Sequence, residues 1–187
     1  MSNGIIILGL NGSGKTTVGR ELAQLLNYKR MDVEDYYFPA SEIPFSVHRT
    51  KEEVQQLMWD DICTYGNYVL SSVNCDWDEQ IVGTLRLAVF LSAPLEVRLT
   101  RIKQREFARF GPRVLDGGDM YESQRRFHDR VVARQENPIR QAVSLLPCPI
   151  LEMDSTLPIE TIVQQIYNDY LKYRCNNHLR HEKRMIP

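Results

Sequence analysis

The sequence has little that would tie it to an oxidising compartment, a membrane or a polyanion. Its four cysteines, Cys63, Cys75, Cys148 and Cys175, lie far apart. They form no CxxC pair and have no metal-ligand spacing, so reduced thiols in a cytoplasmic protein are expected. The apolar run "GIIILGL" is far too short to cross a bilayer. It also lacks the basic flank and cleavage site of a secretory signal, so no membrane partner is expected. Lys and Arg number 23 against 24 Asp and Glu, a net charge of −1. No global basic field recruits nucleic acid or anionic lipid. There is no internal repeat and no low-complexity segment. What is present is a 187-residue chain, 43% hydrophobic. That is enough for a sizeable core in one domain over residues 1–187 with a small inserted lid.

Apolar runs alternate with amphipathic stretches. "GIIILGL" reads as a buried parallel strand, and Val18, Leu22, Leu25 and Leu26 follow at helical spacing within 15–26. Tyr28–Asp32, "NYVLSSV", Leu87–Ala93 and "PILEM" read as four more strands. "KEEVQQLMWDDICTYG" reads as a helix that Gly66 ends, and "PLEVRLTRIKQREFARF" as one with Pro94 in its first turn. "DMYESQRRFHDRVVARQ" reads as another, with Asp119 and Glu122 as a capping box. "LPIETIVQQIYNDYLKY" is a last helix, and the basic tail after it is expected to fray. Five strands interleaved with helices predict an α/β fold with a mostly parallel sheet.

Between the first strand and first helix stands "GLNGSGKTT", residues 9–17. Gly9-x-x-x-x-Gly14-Lys15-Thr16 is the full P-loop pattern in its strand–loop–helix context. Glycines let backbone amides turn inward around phosphate oxygens, and the amides of Gly12, Ser13, Gly14 and Lys15 are expected to form that nest. The helix that follows points its positive end at the same anion. Lys15 supplies a cation to the β- and γ-phosphates, and the Thr16 hydroxyl is placed to ligate Mg²⁺. Asn11 and Thr17 complete the candidate nucleotide-binding set.

No Asn-Lys-x-Asp is present to read guanine, and no acid closes "NYVLSSV", where many ATPases carry a metal-binding carboxylate. Acidity falls instead after the second strand, in "MDVEDYY", with Asp32, Glu34 and Asp35. "GLNGSGKTTVGRELAQLLNYKRMDVED" resembles the opening of shikimate kinase, gluconate kinase and related small kinases of the adenylate-kinase-like group. The likeness covers roughly residues 4–35 and is looser to about residue 175. It implies a three-layer P-loop fold with sheet order 2-3-1-4-5. In those families an Asp-x-Asp after the second strand faces metal and acceptor. Asp32 is then expected to orient Mg²⁺-bound water or the acceptor hydroxyl; the bland alternative is a solvated acidic turn. The second carboxylate is Glu34 by alignment or Asp35 by residue type.

Arg98, Arg101, Arg105 and Arg109 recur on one helix face. The resemblance implies that Arg101 stacks on adenine and that Arg105 contacts the transferring phosphate. It makes residues 105–120 a lid with hinges at Gly111, Gly117 and Gly118, from which Arg113 reaches in. Arg126 and Arg130, four apart, are expected to close the far side toward the acceptor, with Asp35 and Arg49 as further acceptor contacts. An arginine cluster suits phosphoryl transfer because charge spreads over equatorial oxygens; the alternative is an exposed cationic face paired to nearby acids. Tyr36, Tyr37, Phe38 and Phe45 either line an acceptor pocket or pack in the core. Trp77 reads as packing. "MDSTLP" resembles the loop that passes the adenine. His178 and His181 have no partners that would make a metal site.

The expected activity is transfer of the γ-phosphoryl group of MgATP to a small-molecule acceptor, a hydroxyl in preference to a phosphate. Asp76, Asp78 and Glu79 would repel an acceptor dianion, and only Arg49 and Lys51 stand near the helix after the second strand. A nucleoside monophosphate kinase, and an ATPase or nucleotide switch acting on protein or nucleic acid, are the alternatives. The charge balance argues against a nucleic-acid partner. Monomer and homodimer are both compatible with the sequence.

Overall fold

The computed structural model describes residues 2–39 and 47–182, with side chains to residue 174. Phe45 and the side chains of Cys175, His178 and His181 lie outside the described residues. The chain runs β1 (Asn3–Leu8), α1 (Lys15–Leu26), β2 (Lys29–Asp32), α2 (Val33–Tyr37), α3 (Lys51–Tyr65), β3 (Asn67–Ser71), α4 (Glu79–Val82), β4 (Leu85–Ser92) and α5 (Leu95–Phe110). A 3-10 turn (Gly111–Val114) leads to α6 (Tyr121–Ala133), α7 (Asn137–Ser144), β5 (Ile150–Asp154) and α8 (Ile159–Glu182). All strands are parallel in one sheet of order β2-β3-β1-β4-β5, the architecture the sequence predicts.

Alternation along the strands divides the core into two faces. Ile6, Leu8, Met31, Tyr68, Leu70 and Phe90 meet Val54, Met58 and Ile62 of α3 and Ile139 and Val143 of α7. Ile5, Ile7, Val69, Val89 and Leu91 meet Val18 and Leu22 of α1 and Ile162, Ile166 and Tyr170 of α8. Strands covered on both sides explain why they read as continuous apolar runs. Trp77 is buried in the first face, as its packing role requires. Tyr36 and Tyr37 pack partly against the same face.

Helix ends follow local chemistry. Thr50 and Glu53 make a reciprocal capping box on α3, and Gly66, at φ 70°, ends it by donating to Ile62 O. Asn27, in left-handed backbone, ends α1. The capping box expected at Asp119 and Glu122 does not form. α6 starts at Tyr121 after Met120 without a side-chain cap. Asp119 is taken by Arg113 at 2.7 Å and Glu122 by Arg125 at 2.9 Å; a guanidinium is a stronger donor to a carboxylate than a helix amide. The short helices α2, α4 and α7 have no counterpart in the sequence reading.

The chain winds outward from β1 to β2, returns to β3, then crosses to β4 and β5. In an open parallel sheet, ligands bind where the winding reverses, beyond the carboxyl ends of the strands. The phosphate-loop motif, Asp32, Ser71 and Ser155 all follow or end strands at that edge.

Candidate active site

The loop between β1 and α1 is shaped for an anion. Gly12 and Gly14 hold φ of 82° and 93°, a region that side-chain-bearing residues avoid. Two left-handed residues in a short run turn successive amides to one side. Ser13 is fully buried, and among the described residues its hydroxyl has no hydrogen-bond partner. A buried hydroxyl without a partner is costly, and a phosphate oxygen in the nest would satisfy it. Lys15 Nζ folds back to donate to Leu10 O at 3.1 Å. Burial pulls the Lys15 ammonium down to about 8; Glu34 and Asp32 oppose the shift, and Arg105 and Arg134 add to it. A lysine whose charge burial disfavours and a buried hydroxyl left unpartnered belong to the same cavity floor, a combination that a phosphate would satisfy.

A cavity of about 510 Å³ opens from this loop. Its floor is Asn11 to Val18, with the Thr16 hydroxyl group on an exposed residue. Ser71 and Ser72, at the end of β3, form one wall, and Ser71 Oγ ties that wall to the loop by donating to Lys15 O at 3.1 Å. Arg101, Arg105 and Arg109 line the α5 wall. Arg98, the fourth member of the expected stripe, is not a lining residue; it is buried beneath the loop. Arg101 donates to Ser155 O at 2.7 Å, which brings together the arginine and the β5–α8 loop that the sequence singles out for the base.

The opposite end is acidic. Asp32, Glu34 and Asp35 all line the cavity. Asp32 is 5% exposed and has a structural task as well, accepting from Glu34 N at 3.2 Å as the N-cap of α2. The two candidates for the second carboxylate divide the work. Glu34 acts first among the acids on Lys15. Asp35 faces Arg30 at 3.2 Å, and Arg30 also reaches Asp32 at 3.6 Å. Arg30 is thus a lining cation that sequence reasoning missed; its alternation with Asp32 on β2 is the signal that places both on one side.

Arg134, at the end of α6, is a second missed residue. Its guanidinium reaches Asn11 Oδ1 and Asn74 Oδ1, each at 3.4 Å, bridging the phosphate loop and the loop after β3. No sequence pattern joins positions that far apart.

Five expected site residues stand outside this cavity: Gly9, which precedes its floor, and four arginines. Arg113 pairs with Asp119 on the surface, Arg49 donates to Tyr36 O at 2.7 Å, and Arg126 and Arg130 are exposed on α6. Among the described residues, none between 110 and 154 lines the cavity. Of the expected hinges, Gly111 and Gly117 have positive φ and Gly118 is packed against the Arg113 backbone. Glu106, 5% exposed, joins α5 to α6 through His128 Nε2 at 2.7 Å. Among the described residues no three His, Cys, Asp or Glu side chains gather as a ready metal site. A cation here would be held by Thr16, Asp32 and the oxygens of a bound phosphate, the pattern usual for Mg²⁺.

The chain is similar to known proteins in sequence and in fold. The family model described as "AAA domain" matches residues 5–109. The uncharacterized protein YqaC of Bacillus subtilis (strain 168) is 30% identical over 179 residues, 91% of this chain and 98% of that protein. A cytidylate kinase of Haloarcula marismortui is 30% identical over 113 residues, 54% of this chain and 58% of its own length. In fold, a gluconokinase from Sinorhizobium meliloti 1021 superposes with a TM-score of 0.58 at 16% identity, over 95% of this chain and 97% of that one.

Proposed function

The chain belongs to the AAA domain family, and from that premise we propose that it is a small-molecule kinase that moves the γ-phosphoryl group of ATP to an acceptor hydroxyl. One observation carries the reading: an anion nest with its lysine and buried hydroxyl opens into the same cavity as four arginines and three carboxylates. The nest and Lys15 bind the phosphates, and Arg101 with the Ser155 loop flanks the base. Arg105 lies where charge grows on the transferring group. Asp32 accepts the acceptor hydroxyl's hydrogen bond and aims its oxygen. Mg²⁺, when bound between Thr16, Asp32 and the phosphates, supplies neutralisation of charge on the phosphate oxygens. The protein's own work is positioning and water exclusion. Closure of residues 105–120 over the cavity, with Arg113, Arg126 and Arg130 approaching, would complete that exclusion.

A hydroxyl is preferred over a phosphate acceptor because the cations at the β2 end are committed. Arg30 is shared by two aspartates, Lys51 pairs with Asp76 at 2.7 Å, and Arg49 holds a backbone carbonyl. Gluconokinase is a structural neighbour with a sugar-acid acceptor in its name, and cytidylate kinase a relative with a nucleotide in its name. ADP release is to be measured with nucleosides, sugars, sugar acids and amino alcohols beside the common nucleoside monophosphates. Turnover with a hydroxyl compound is expected; efficient turnover of AMP, CMP, UMP or GMP alone would reverse the preference.

A further inference from the structure

We infer that Arg98 is a positioning residue that locks the Asn11–Gly12 peptide so that the Gly12 amide points into the phosphate nest. This rests on the nucleotide-binding reading above and concerns a residue outside the cavity. Arg98 sits in the first turn of α5 and is 6% exposed. Its guanidinium donates from Nη1 to Asn11 O at 3.3 Å and from Nε to Ala93 O at 3.2 Å. One side chain therefore staples the phosphate loop to the turn between β4 and α5. The loop also rests on the backbone of the same residue. A Cβ added to Gly12 would meet Arg98 O at 2.5 Å, so nothing larger than glycine fits between loop and helix.

Peptide planarity turns this staple into an aiming device. The Asn11–Gly12 peptide is trans, as all are among the described residues, so the carbonyl of Asn11 and the N–H of Gly12 point to opposite sides of one plane. Holding the carbonyl outward toward Arg98 sends the amide inward. Without the guanidinium, the peptide before a glycine is the easiest in the loop to rotate, because Gly12 tolerates either sign of φ. A rotated peptide would present a carbonyl oxygen to a phosphate, replacing attraction with repulsion. Burial makes the charged guanidinium costly, as its lowered pKa records, and Glu136 is the acid that offsets it. Glu136 is itself bound by Arg140 Nε at 2.6 Å and receives Ser92 Oγ at 3.5 Å. A methionine would fill this place at lower electrostatic cost, so retaining the arginine is intelligible through its two carbonyls.

The test is a calorimetric titration of MgADP into the wild type, R98M, R98Q and R98K, with the Gly12 amide followed by ¹⁵N-resolved NMR. R98M, which keeps the packing volume, is expected to stay folded and to bind about tenfold more weakly, the scale of one charge-assisted hydrogen bond. The large shift of the Gly12 amide on binding should shrink with it. R98K, with one donor able to reach Asn11 O, should recover part of both. A merely structural arginine would lower the melting temperature and leave the Gly12 shift at saturation unchanged. If R98M does not fold, the neutral and shorter R98Q decides by the same two readings. Wild-type affinity and an unchanged Gly12 shift in the folded variant would overturn the inference alone. Absence of MgADP binding by the wild type would instead overturn the kinase reading on which it rests.

Discussion

At the phosphate loop, Gly12 and Gly14 hold left-handed backbone, the Ser13 hydroxyl waits without a partner, and Lys15 rests on a carbonyl of its own loop. At the β2 end, Asp32 caps a helix, Asp35 and Asp32 share Arg30, and Tyr36 is tied to Asp61 at 2.5 Å. The first region is made largely of backbone, although Ser13 N, one of the expected nest amides, already donates to Leu10 O at 3.1 Å, as Lys15 Nζ does. The second is made of side chains that already satisfy one another. A ligand at the first displaces one contact, that of Lys15 with Leu10 O, and satisfies the Ser13 hydroxyl; a ligand at the second must displace several contacts. On the proposed reading, with ATP at the first region and the acceptor at the second, binding strength would be concentrated at the donor end and selectivity at the acceptor end.

Removing the donor end's cation is the severest way to test the contrast. Lys15→Ala should reduce turnover by roughly 10³-fold or more. Far-UV circular dichroism should be unchanged, because Lys15, although desolvated in the cavity floor, belongs to neither hydrophobic core face. A folded mutant with normal turnover would remove the distinction between the two ends.

The α5 wall separates binding from rate. Arg105→Ala should lower kcat by about 10²-fold with a smaller change in KM, since its contact strengthens as charge develops. Arg101→Ala should mainly raise KM for ATP, because a base contact is made equally in ground and transition states. Matching kinetic profiles for the two would show a uniform cationic face.

Lys15 also gives the donor end a pH signature. Its ammonium titrates at about 8 in place of the usual 10.5, and a bound phosphate would hold it charged. MgADP affinity should then fall above pH 8, by at most about tenfold per pH unit, with proton uptake on binding. For stability the sign is opposite. Between about pH 8 and 10.5 the unfolded chain holds more protons at this lysine than the folded one. This group's share of stability therefore rises with pH across that window. Calorimetry in buffers of differing ionisation enthalpy measures the uptake, and a flat profile would contradict the buried-lysine account.

The contrast also explains what the sequence made legible. The nest could be read because a backbone site needs particular residues at fixed local spacing: Gly9 to Thr16 carry it alone. The sheet order followed from resemblance, and the helix stop at Gly66 from its chemistry. Arg98 and Arg134 could not be separated from other arginines, since their partner Asn11 is 87 and 123 positions away. The face periodicity that selected Arg101, Arg105 and Arg109 for the cavity carried Arg98 along, although a residue one turn nearer the helix start lies under the loop. α2 escaped because five residues give no period to detect. Yet Asp32 followed by two acids is a helix-start pattern in hindsight. The Asp119 cap failed for the reverse reason: the local pattern was right, and Arg113 outcompeted it.

The smallest expected effect falls at the acceptor end, where contacts back one another up. Tyr36 donates to Asp61, and Lys29 stands 3.4 Å from the same carboxylate. Burial first, then the bond to Asp61, pushes the phenol's pKa upward, so it remains a donor at any ordinary pH. Tyr36→Phe keeps the ring against Val33's side of the core and deletes one hydrogen bond to a charged group, worth about 1.5–3 kcal/mol. Asp61 would keep Lys29, so the loss should fall at the lower end of that range. The consequence for function runs through α2. Its single anchor to α3 by side-chain hydrogen bond would be gone among the described contacts, and Glu34 and Asp35 ride on that helix. The acceptor KM should rise a few-fold while the ATP KM and the affinity for MgADP stay put, with the melting temperature only slightly lowered. Equal rises in both KM values would mean that the acceptor end is not an independent unit, and that α2 braces the phosphate loop through Glu34 and Lys15.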